Sequence, residues 1–392
     1  MTLIFFWIVL GVIVYTLIGF PALLLARAYF RPRPYHCDDI TPAISVLIAA
    51  HNEATCIEAR IENLLTQDYP RECIEVIVAS DGSDDGTNEI VERYTDQGVR
   101  LLALPRQGKI AALNQAEQVA TGDILVFSDA NTSFARNALR ALVAPFADPQ
   151  IGGVAGNQIY QKGATTGAAA DGERAYWNFD RLLKWAQSAG GNVTSATGAI
   201  YAIRRSLYRP IPPGVTDDFV ASAAVIAQGY RLVFAADAVA REPVASAGSK
   251  EFRRKVRVIT QGLRAVWVMR ELLNPVRYGF YAWQLFSHKV LRRLIVVPLL
   301  LLAILSPLVW NAGLFYQALT MVQAVVYGCG LLGLIFSYTR LSRVRALAIP
   351  FYFCMVNFAA LCALFKTMGG GRIEHWQPQR LDPIAPGTPQ AH

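Results

Sequence analysis

The chain has 392 residues, of which 53% are hydrophobic, and a formal net charge of +8; the mean hydropathy is +0.30. It is more apolar than an average soluble domain, and its length allows one large domain or two ordinary ones. The basic excess flanks apolar segments and therefore does not indicate nucleic-acid binding, while six cysteines without a C-x-x-C pair suit a reducing compartment rather than a disulfide framework.

The first element is an apolar segment over residues 3–26, LIFFWIVLGVIVYTLIGFPALLLA, which is long enough to cross a bilayer. A cleaved signal peptide is the alternative, because Ala26-Arg27-Ala28 resembles a cleavage site. However, the segment lacks a basic n-region and is longer than an h-region. We therefore predict a transmembrane helix over residues 1–30.

The next region, residues 31–249, alternates between strand and helix patterns after an RPRP linker. Its apolar runs lie at residues 43–50, 74–80, 99–104 and 124–128. Helical patterns follow at residues 54–67, 87–96 and 109–120. This alternation predicts an α/β domain with a doubly wound, mostly parallel sheet. Ligands of such sheets bind at the carboxyl ends of the strands.

Acidic residues end three of these four runs, at Glu53, Asp81 and Asp129. One acid at a strand end could be a helix cap, and Ser83, Asp84 or Asp85 is predicted to cap the helix near Thr87. Three acids on one edge repel each other unless a cation or a hydrogen-bonding ligand lies among them. Magnesium with substrate phosphates satisfies that arrangement, and the absence of a Walker loop excludes a P-loop nucleotidase.

In their order and spacing, these strand ends resemble family 2 of the inverting glycosyltransferases, the family of cellulose, chitin and hyaluronan synthases. The resemblance runs from about Ile44 to Leu273, and the flanking apolar segments extend it. It implies an α/β GT-A fold, a Rossmann-like cytosolic domain inserted between transmembrane helices. It also implies an inverting transfer from a nucleotide-sugar donor, expected to be a UDP-sugar, with Mg²⁺ or Mn²⁺.

The resemblance also assigns donor-binding residues. It places His51 and Glu53 near the nucleotide base, Asp81 at the uracil edge and Lys109 near the diphosphate. A solvated lysine at a helix start is the alternative for Lys109. Asp129 corresponds to the first acid of the metal-binding D-x-D motif, and Asn131 replaces the second acid. Because an amide carries no charge, we expect weaker metal binding than with two acids.

The catalytic residues follow from the T-D-D-F sequence at residues 216–219, which resembles the family's T-E-D motif. Asp218 matches the general base that takes the proton of the acceptor hydroxyl, and Asp217 competes for that role. The same pair could instead cap the helix that follows. Gly198 lies in a segment that resembles the strand near the acceptor, where a glycine would allow close backbone approach; a turn glycine is the alternative.

The sequence QGLRAVW at residues 261–267 resembles the family's Q-x-x-R-W motif incompletely. Gln261 and Arg264 share a helix face, and Arg264 could stabilise the departing diphosphate. The family's acceptor-stacking tryptophan falls at Ala265, and Trp267 lies about 200° further around the helix. Trp267 is equally compatible with a membrane-interface anchor. The departure puts processive polymer synthesis in doubt.

Residues 250–293 mix basic and apolar residues at helical spacing and predict amphipathic helices on the membrane surface; ordinary domain helices are the alternative. Three further transmembrane helices are predicted within residues 294–368, and residues 369–392 form a flexible tail. Basic clusters flank these segments. Because basic loops tend to face the cytoplasm, these clusters predict that the N-terminus lies outside and the catalytic domain lies in the cytoplasm. The mildly basic tail would then lie outside, which counts against this orientation.

The sequence therefore predicts a multi-pass hexosyltransferase of the inner or plasma membrane, engaged in polysaccharide biosynthesis with a polysaccharide or lipid-linked acceptor. One alternative is the transfer of a single sugar to a polyprenyl phosphate or glycolipid. Another is a non-catalytic sugar-nucleotide-binding subunit of an assembly complex. A transporter is disfavoured because the apolar segments hold almost no charge, and a homo-oligomer stays possible.

Overall fold

The computed structural model describes residues 1–160, 168–242, 249–336, 339 and 344–369. Its strands form one eight-stranded sheet within these residues. They are β1 (Ile44–Ala50), β2 (Ile74–Asp81), β3 (Val99–Leu104), β4 (Ile124–Asp129), β5 (Ser133–Phe134), β6 (Ile151–Tyr160), β7 (Tyr201–Arg204) and β8 (Arg231–Glu242).

The helices surround this sheet and extend from it at both ends of the chain. They are α1 (Thr2–Val14), α2 (Phe20–Phe30), α3 (Ile57–Leu65), α4 (Thr87–Glu92), α5 (Lys109–Val119), α6 (Ala138–Val143), α7 (Ala168–Gly190), α8 (Asp217–Ala227), α9 (Ser249–Val268), α10 (Pro275–Tyr278), α11 (Phe280–Leu285), α12 (Arg292–Leu294), α13 (Val296–Leu308), α14 (Leu314–Ile335) and α15 (Arg345–Met368). Single π-helical turns join α1 to α2 and α11 to α12.

The strand order is β3-β2-β1-β4-β7-β6-β8-β5. The first four strands are parallel, whereas β7 runs antiparallel to both of its neighbours. Strand β6 is parallel to β8, and β5 closes the edge in the antiparallel direction. All seven residues of β1 are buried, as expected for a central parallel strand covered on both faces. The prediction of a mostly parallel α/β sheet is confirmed.

The register of this sheet decides which side chains meet at its carboxyl edge. Ala50 at the end of β1 pairs with Ser80, and the preceding residue, Ala49, pairs with Asp129. Asp81 follows Ser80 directly in β2. The acids that end β2 and β4 therefore lie on the same edge, on either side of β1.

Three helices are long and apolar enough to cross a membrane within the described residues: Thr2–Phe30, Leu314–Ile335 and Arg345–Met368. The predicted span that begins at residue 294 differs, because α13 has only 13 residues. It reaches the length of a span only together with Phe280–Leu294, from which it bends by 53°. Pro298 explains the bend, because its ring clashes with the carbonyl of the residue four positions earlier and so interrupts the helix.

Two contacts join the terminal helices to the rest of the chain. Helix α2 packs against α7 through Leu24 and Leu183, and Arg27 Nε donates to the carbonyl oxygen of Gly190 at 3.1 Å. Helix α9, predicted to be amphipathic, lies against the candidate span α15, where the rings of Phe252 and Phe358 are 5.9 Å apart. Part of the apolar face of α9 is therefore covered by protein. Residues 370–392, with the predicted tail, lie outside the described residues.

Candidate functional site

The centre of the site is the ammonium group of Lys109, which bridges two carboxylates. Lys109 Nζ lies 2.8 Å from Asp129 Oδ1 and 3.0 Å from Asp217 Oδ2. Burial acts to lower the pKa of this ammonium, but the two carboxylates outweigh it and hold the pKa above its ordinary value. Three elements meet here: the end of β4 and the first turns of α5 and α8.

Asp81 fixes the loop that delivers Lys109 to this position. Its buried carboxylate accepts hydrogen bonds from the backbone N–H groups of Gln107, at 2.6 Å, and Gly108, at 2.9 and 3.0 Å. Arg106 Nη1 lies 2.5 Å from Asp81 Oδ2. In the structure, the predicted uracil-binding carboxylate is therefore already bonded to residues 106–108. This role within the protein did not follow from the strand-end pattern.

Asp217 and Asp218 occupy the first turn of α8, and Thr216 precedes them at the N-cap position without a side-chain capping bond. Burial raises the pKa of the Asp218 carboxyl, and the neighbouring Asp217 carboxylate raises it further. Asp218 Oδ1 accepts a hydrogen bond from the backbone N–H of Phe219 at 2.7 Å. The two acids thus differ, because Asp217 pairs with Lys109 whereas Asp218 forms no ion pair within the described residues.

The end of β1 is tied to the end of β2 rather than to Lys109. His51 Nδ1 donates to the carbonyl oxygen of Asp81 at 2.8 Å. The backbone N–H of Glu53 donates to Thr87 Oγ1 at 2.9 Å. Asn52 between them adopts a positive φ of 56°, a conformation in which asparagine is enriched. His51 and Glu53 therefore lie at the predicted edge, on a turn fixed by its hydrogen bonds.

Of the residues predicted on the acceptor and diphosphate side, Gly198 approaches the centre and Arg264 approaches the loop before α8. A methyl group at Gly198 would lie 3.6 Å from Asp129 Oδ2 and 3.8 Å from Lys109 Nζ. A methyl group at Gly214 would lie 3.1 Å from Arg264 Nη1, so Arg264 covers the loop that leads into α8. Gln261 lies one turn earlier on the same helix, α9.

Trp267 lies apart from this group. Its side chain is 70% exposed, and the guanidinium of Arg270 lies 5.4 Å from the centre of its ring. Ala265, at the position of the family's tryptophan, is fully buried in the core. The position of the family's tryptophan therefore carries no aromatic side chain, and Trp267 lies at the surface.

Two residues near the centre were missed by sequence reasoning. Glu242 is the last residue of β8. Burial, and to a lesser extent the charge of Asp129, raises the pKa of its carboxyl to about 7. Tyr201 begins β7 and stacks on Phe127 with ring centres 4.5 Å apart. The strand-end rule that singled out Asp129 does not reach Glu242, because Asp237 interrupts the apolar run of β8. No sequence pattern marks Tyr201.

The residues that could hold a metal ion are few. Within the described residues, no group of three or more His, Cys, Asp or Glu side chains could do so. Asp129 offers one carboxylate, which contacts Lys109, and Asn131 is an exposed amide. An acid with an amide fits a hard cation that takes its remaining ligands from substrate phosphates. It does not fit a site made by the protein alone.

Comparison with known proteins finds a family match over part of this site, which includes Asp81, Lys109 and Asp129. The profile described as Glycosyl transferase family 2 matches residues 45–211. Poly-beta-1,6-N-acetyl-D-glucosamine synthase of Staphylococcus aureus is 27% identical over 204 residues, which are 50% of this chain and 48% of that protein. Glycosyltransferase AglE of Haloferax volcanii is 26% identical over 255 residues, which are 62% of this chain and 80% of AglE.

Among solved structures, the mannosyltransferase PcManGT of Pyrobaculum calidifontis, in complex with GDP-Man and Mn²⁺, has the same fold. It superposes with a TM-score of 0.69 at 23% identity and covers 93% of this chain and 98% of its own. The chain spans about half the length of the Staphylococcus aureus synthase that it matches.

Proposed function

We propose that this protein is an inverting glycosyltransferase that acts at a membrane. The premise is that residues 45–211 are a glycosyl transferase family 2 domain with a GT-A-like fold. The protein would transfer a sugar from a nucleoside diphosphate donor, most simply a UDP-sugar. The observation that carries the proposal is the meeting of Asp129, Lys109 and Asp217 at the carboxyl edge of the sheet, with Asp218 beside them.

The difference between the two acids of α8 supports Asp218 as the general base. A base must be free to accept a proton and works best when its pKa lies near the working pH. The pKa of Asp218 is raised by burial and by Asp217, whereas Asp217 is neutralised by Lys109 at 3.0 Å. Asp218 would therefore take the acceptor hydroxyl proton, and Asp217 would hold Lys109 in place.

The cations of the site suit a departing diphosphate. Lys109 Nζ already lies between two carboxylates. The negative charge of a bound diphosphate could take the place of part of theirs as its ionic partner. Arg264 covers the loop before α8 and could donate to the same group. A divalent cation, when bound, would offset the negative charge that develops on the leaving group. Asp129, with Asn131 beside it, would hold that cation.

The terminal helices support a membrane setting. Three described helices have the length and apolarity of membrane spans, and a fourth is possible if the bent pair counts as one. Helix α9 carries the Gln261–Arg264 motif and packs on the candidate span α15. The donor site is thus coupled to a membrane helix. We propose a multi-pass protein with its catalytic domain in the cytoplasm, which acts on a polysaccharide or lipid-linked acceptor.

One observation favours the transfer of a single sugar to a polyprenyl phosphate or glycolipid over polymer synthesis. A growing chain needs a surface on which its terminal sugar stacks, but Ala265 is buried in the core and Trp267 is exposed beside Arg270. This second function differs from the first only in the acceptor, so the donor chemistry is common to both.

The test is to incubate the detergent-purified protein with a panel of UDP- and GDP-sugars, with and without Mn²⁺, and to measure nucleotide release. We expect release from one donor in the presence of metal, and none from the Asp218→Asn variant. The absence of turnover and of binding with every donor would contradict the enzyme proposal and favour a non-catalytic subunit. The length of the product would separate polymer synthesis from single transfer.

A further inference from the structure

Glu242 contacts the residue that follows the position where the metal motif lacks its second acid. Strand β8 runs antiparallel to β5, and Ser133 pairs with Arg241. One residue further, Thr132 Oγ1 donates to Glu242 Oε1 at 3.3 Å. Because Thr132 follows Asn131 in the chain, the end of β8 brings a carboxylate to the segment that carries Asn131.

The Glu242 carboxylate is oriented by hydrogen bonds and forms no ion pair with a cation among the described residues. Gln158 Nε2 donates to its second oxygen, Oε2, at 2.5 Å. Glu242 is partly buried and forms no ion pair with any residue that the structure describes. A carboxylate removed from water is costly unless it is paired. With one hydrogen bond at each oxygen, it keeps lone pairs with which it could bind a cation.

A second observation is a buried polar group on β7, where Tyr201 pairs with Phe127 of β4. The Tyr201 hydroxyl is fully buried and has no hydrogen-bond partner among the described residues. The charges of Asp217, Asp218 and Asp129 all act on this hydroxyl, which places it towards the acids of the site. A buried hydroxyl without a partner indicates a group that belongs there when the site is loaded.

We propose that Glu242 supplies the carboxylate that Asn131 lacks and that it holds, together with Asp129, the divalent cation that accompanies the donor diphosphate. This inference rests on the proposed function. A hard cation bound by one or two carboxylates and by substrate phosphates is the usual arrangement for magnesium. Glu242 comes from a different strand than the motif, so the pair is assembled by the fold and not by local sequence.

The rival role for Glu242 is structural, since its two hydrogen bonds tie β8 to β6 and to the loop at Thr132. Asp237 provides a matched control, because it is an exposed acid on the same strand. The Glu242→Gln and Asp237→Asn variants remove the same charge from β8, but only the first removes it next to the segment that carries Asn131.

The test is a Mn²⁺ titration of the detergent-purified protein, read by the electron paramagnetic resonance signal of free Mn²⁺. UDP or GDP is present, whichever binds the wild type more tightly. We expect E242Q to weaken Mn²⁺ binding by about tenfold or more, on the order of what a lost outer-shell partner already costs. The double variant E242Q/N131D should recover part of this affinity, and D237N should equal the wild type.

Three outcomes would overturn the inference. The first is an E242Q variant that binds Mn²⁺ as the wild type does. The second is an equal loss in D237N, which would reflect net charge alone. The third is a large fall in the melting temperature of E242Q in EDTA, which would show a structural role. If the wild type binds neither nucleotide nor Mn²⁺, the proposed function fails as well. If it binds both and E242Q is unchanged, only the inference fails.

Discussion

Replacing Lys109 with methionine tests the central ion pairs of the site. The change keeps most of the length of the side chain but leaves Asp129 and Asp217 without the cation that lies 2.8 and 3.0 Å from them. At these distances each attraction amounts to about 6 kcal/mol at an effective dielectric constant of 20. Much of this gain is offset by the desolvation of the ammonium group.

Breaking a buried pair by removing one partner costs about 3–5 kcal/mol. The side chains of Lys109, Asp217 and Asp129 are 15%, 16% and 31% exposed, so water can solvate the acids that remain. We therefore expect a loss near the lower limit, about 3 kcal/mol. For a domain of this size, that loss lowers the melting temperature by roughly 6–12 °C.

The assay is thermal unfolding of the detergent-purified protein, followed by intrinsic fluorescence in EDTA at pH 7. The double variant K109M/D217N is the control, because removal of one of the two carboxylates should restore part of the stability. Mn²⁺ should also stabilise K109M more than the wild type, because it replaces the missing cation. A K109M variant that melts within 1 °C of the wild type (about 0.5 kcal/mol or less) would refute the reasoning, as would a double variant that is no more stable than K109M.

Three further predictions concern other residues of the site. The pKa of Glu242 is about 7 in the folded protein against 4.5 for the free side chain, so metal-free stability should fall as the pH rises from about 4.5 to about 7, by about 3 kcal/mol. E242Q should abolish this fall, and equal pH profiles of unfolding in EDTA would contradict the assignment. Gly198→Ala should keep the stability of the protein within about 0.5 kcal/mol but weaken donor binding, because its methyl group would lie 3.6 Å from Asp129 Oδ2. By contrast, Gly122→Ala should lower the stability by about 1–3 kcal/mol, because its methyl group would lie 2.6 Å from the backbone of β1. Trp267→Ala should leave the product length unchanged, since Trp267 is exposed, and a shorter product would restore its acceptor role.

Much of the α/β domain could be predicted from the sequence because each central strand is a short apolar run that ends in a polar residue. The predicted run at 124–128 became β4 (Ile124–Asp129), and Asp129 reached the expected edge. Lys109 and Asp217 were predicted from the family resemblance instead, and their contact at 3.0 Å depends on how α5 and α8 pack. Packing of this kind leaves no mark in local sequence.

Other features could not be predicted, for physical reasons. The carboxylate of Asp81 bonds to residues 106–108 because the loop after β3 folds back over β2, and this return is a property of the tertiary fold. Glu242 was missed because β8 has few consecutive apolar residues near its end. The bend before α13 was missed because the apolar run continues through Pro298, whereas the helix axis turns there by 53°.

The stereochemistry of transfer tests the central claim most directly. Whichever nucleotide sugar the protein turns over should be followed by proton NMR, with the first-formed product observed before its anomers equilibrate. If Asp218 activates an acceptor that attacks from the face opposite the diphosphate, the product has the inverted anomeric configuration, and Asp218→Asn forms it at a rate lower by on the order of 10²–10⁴. A product with retained configuration, or an Asp218→Asn variant with the rate of the wild type, would contradict the account.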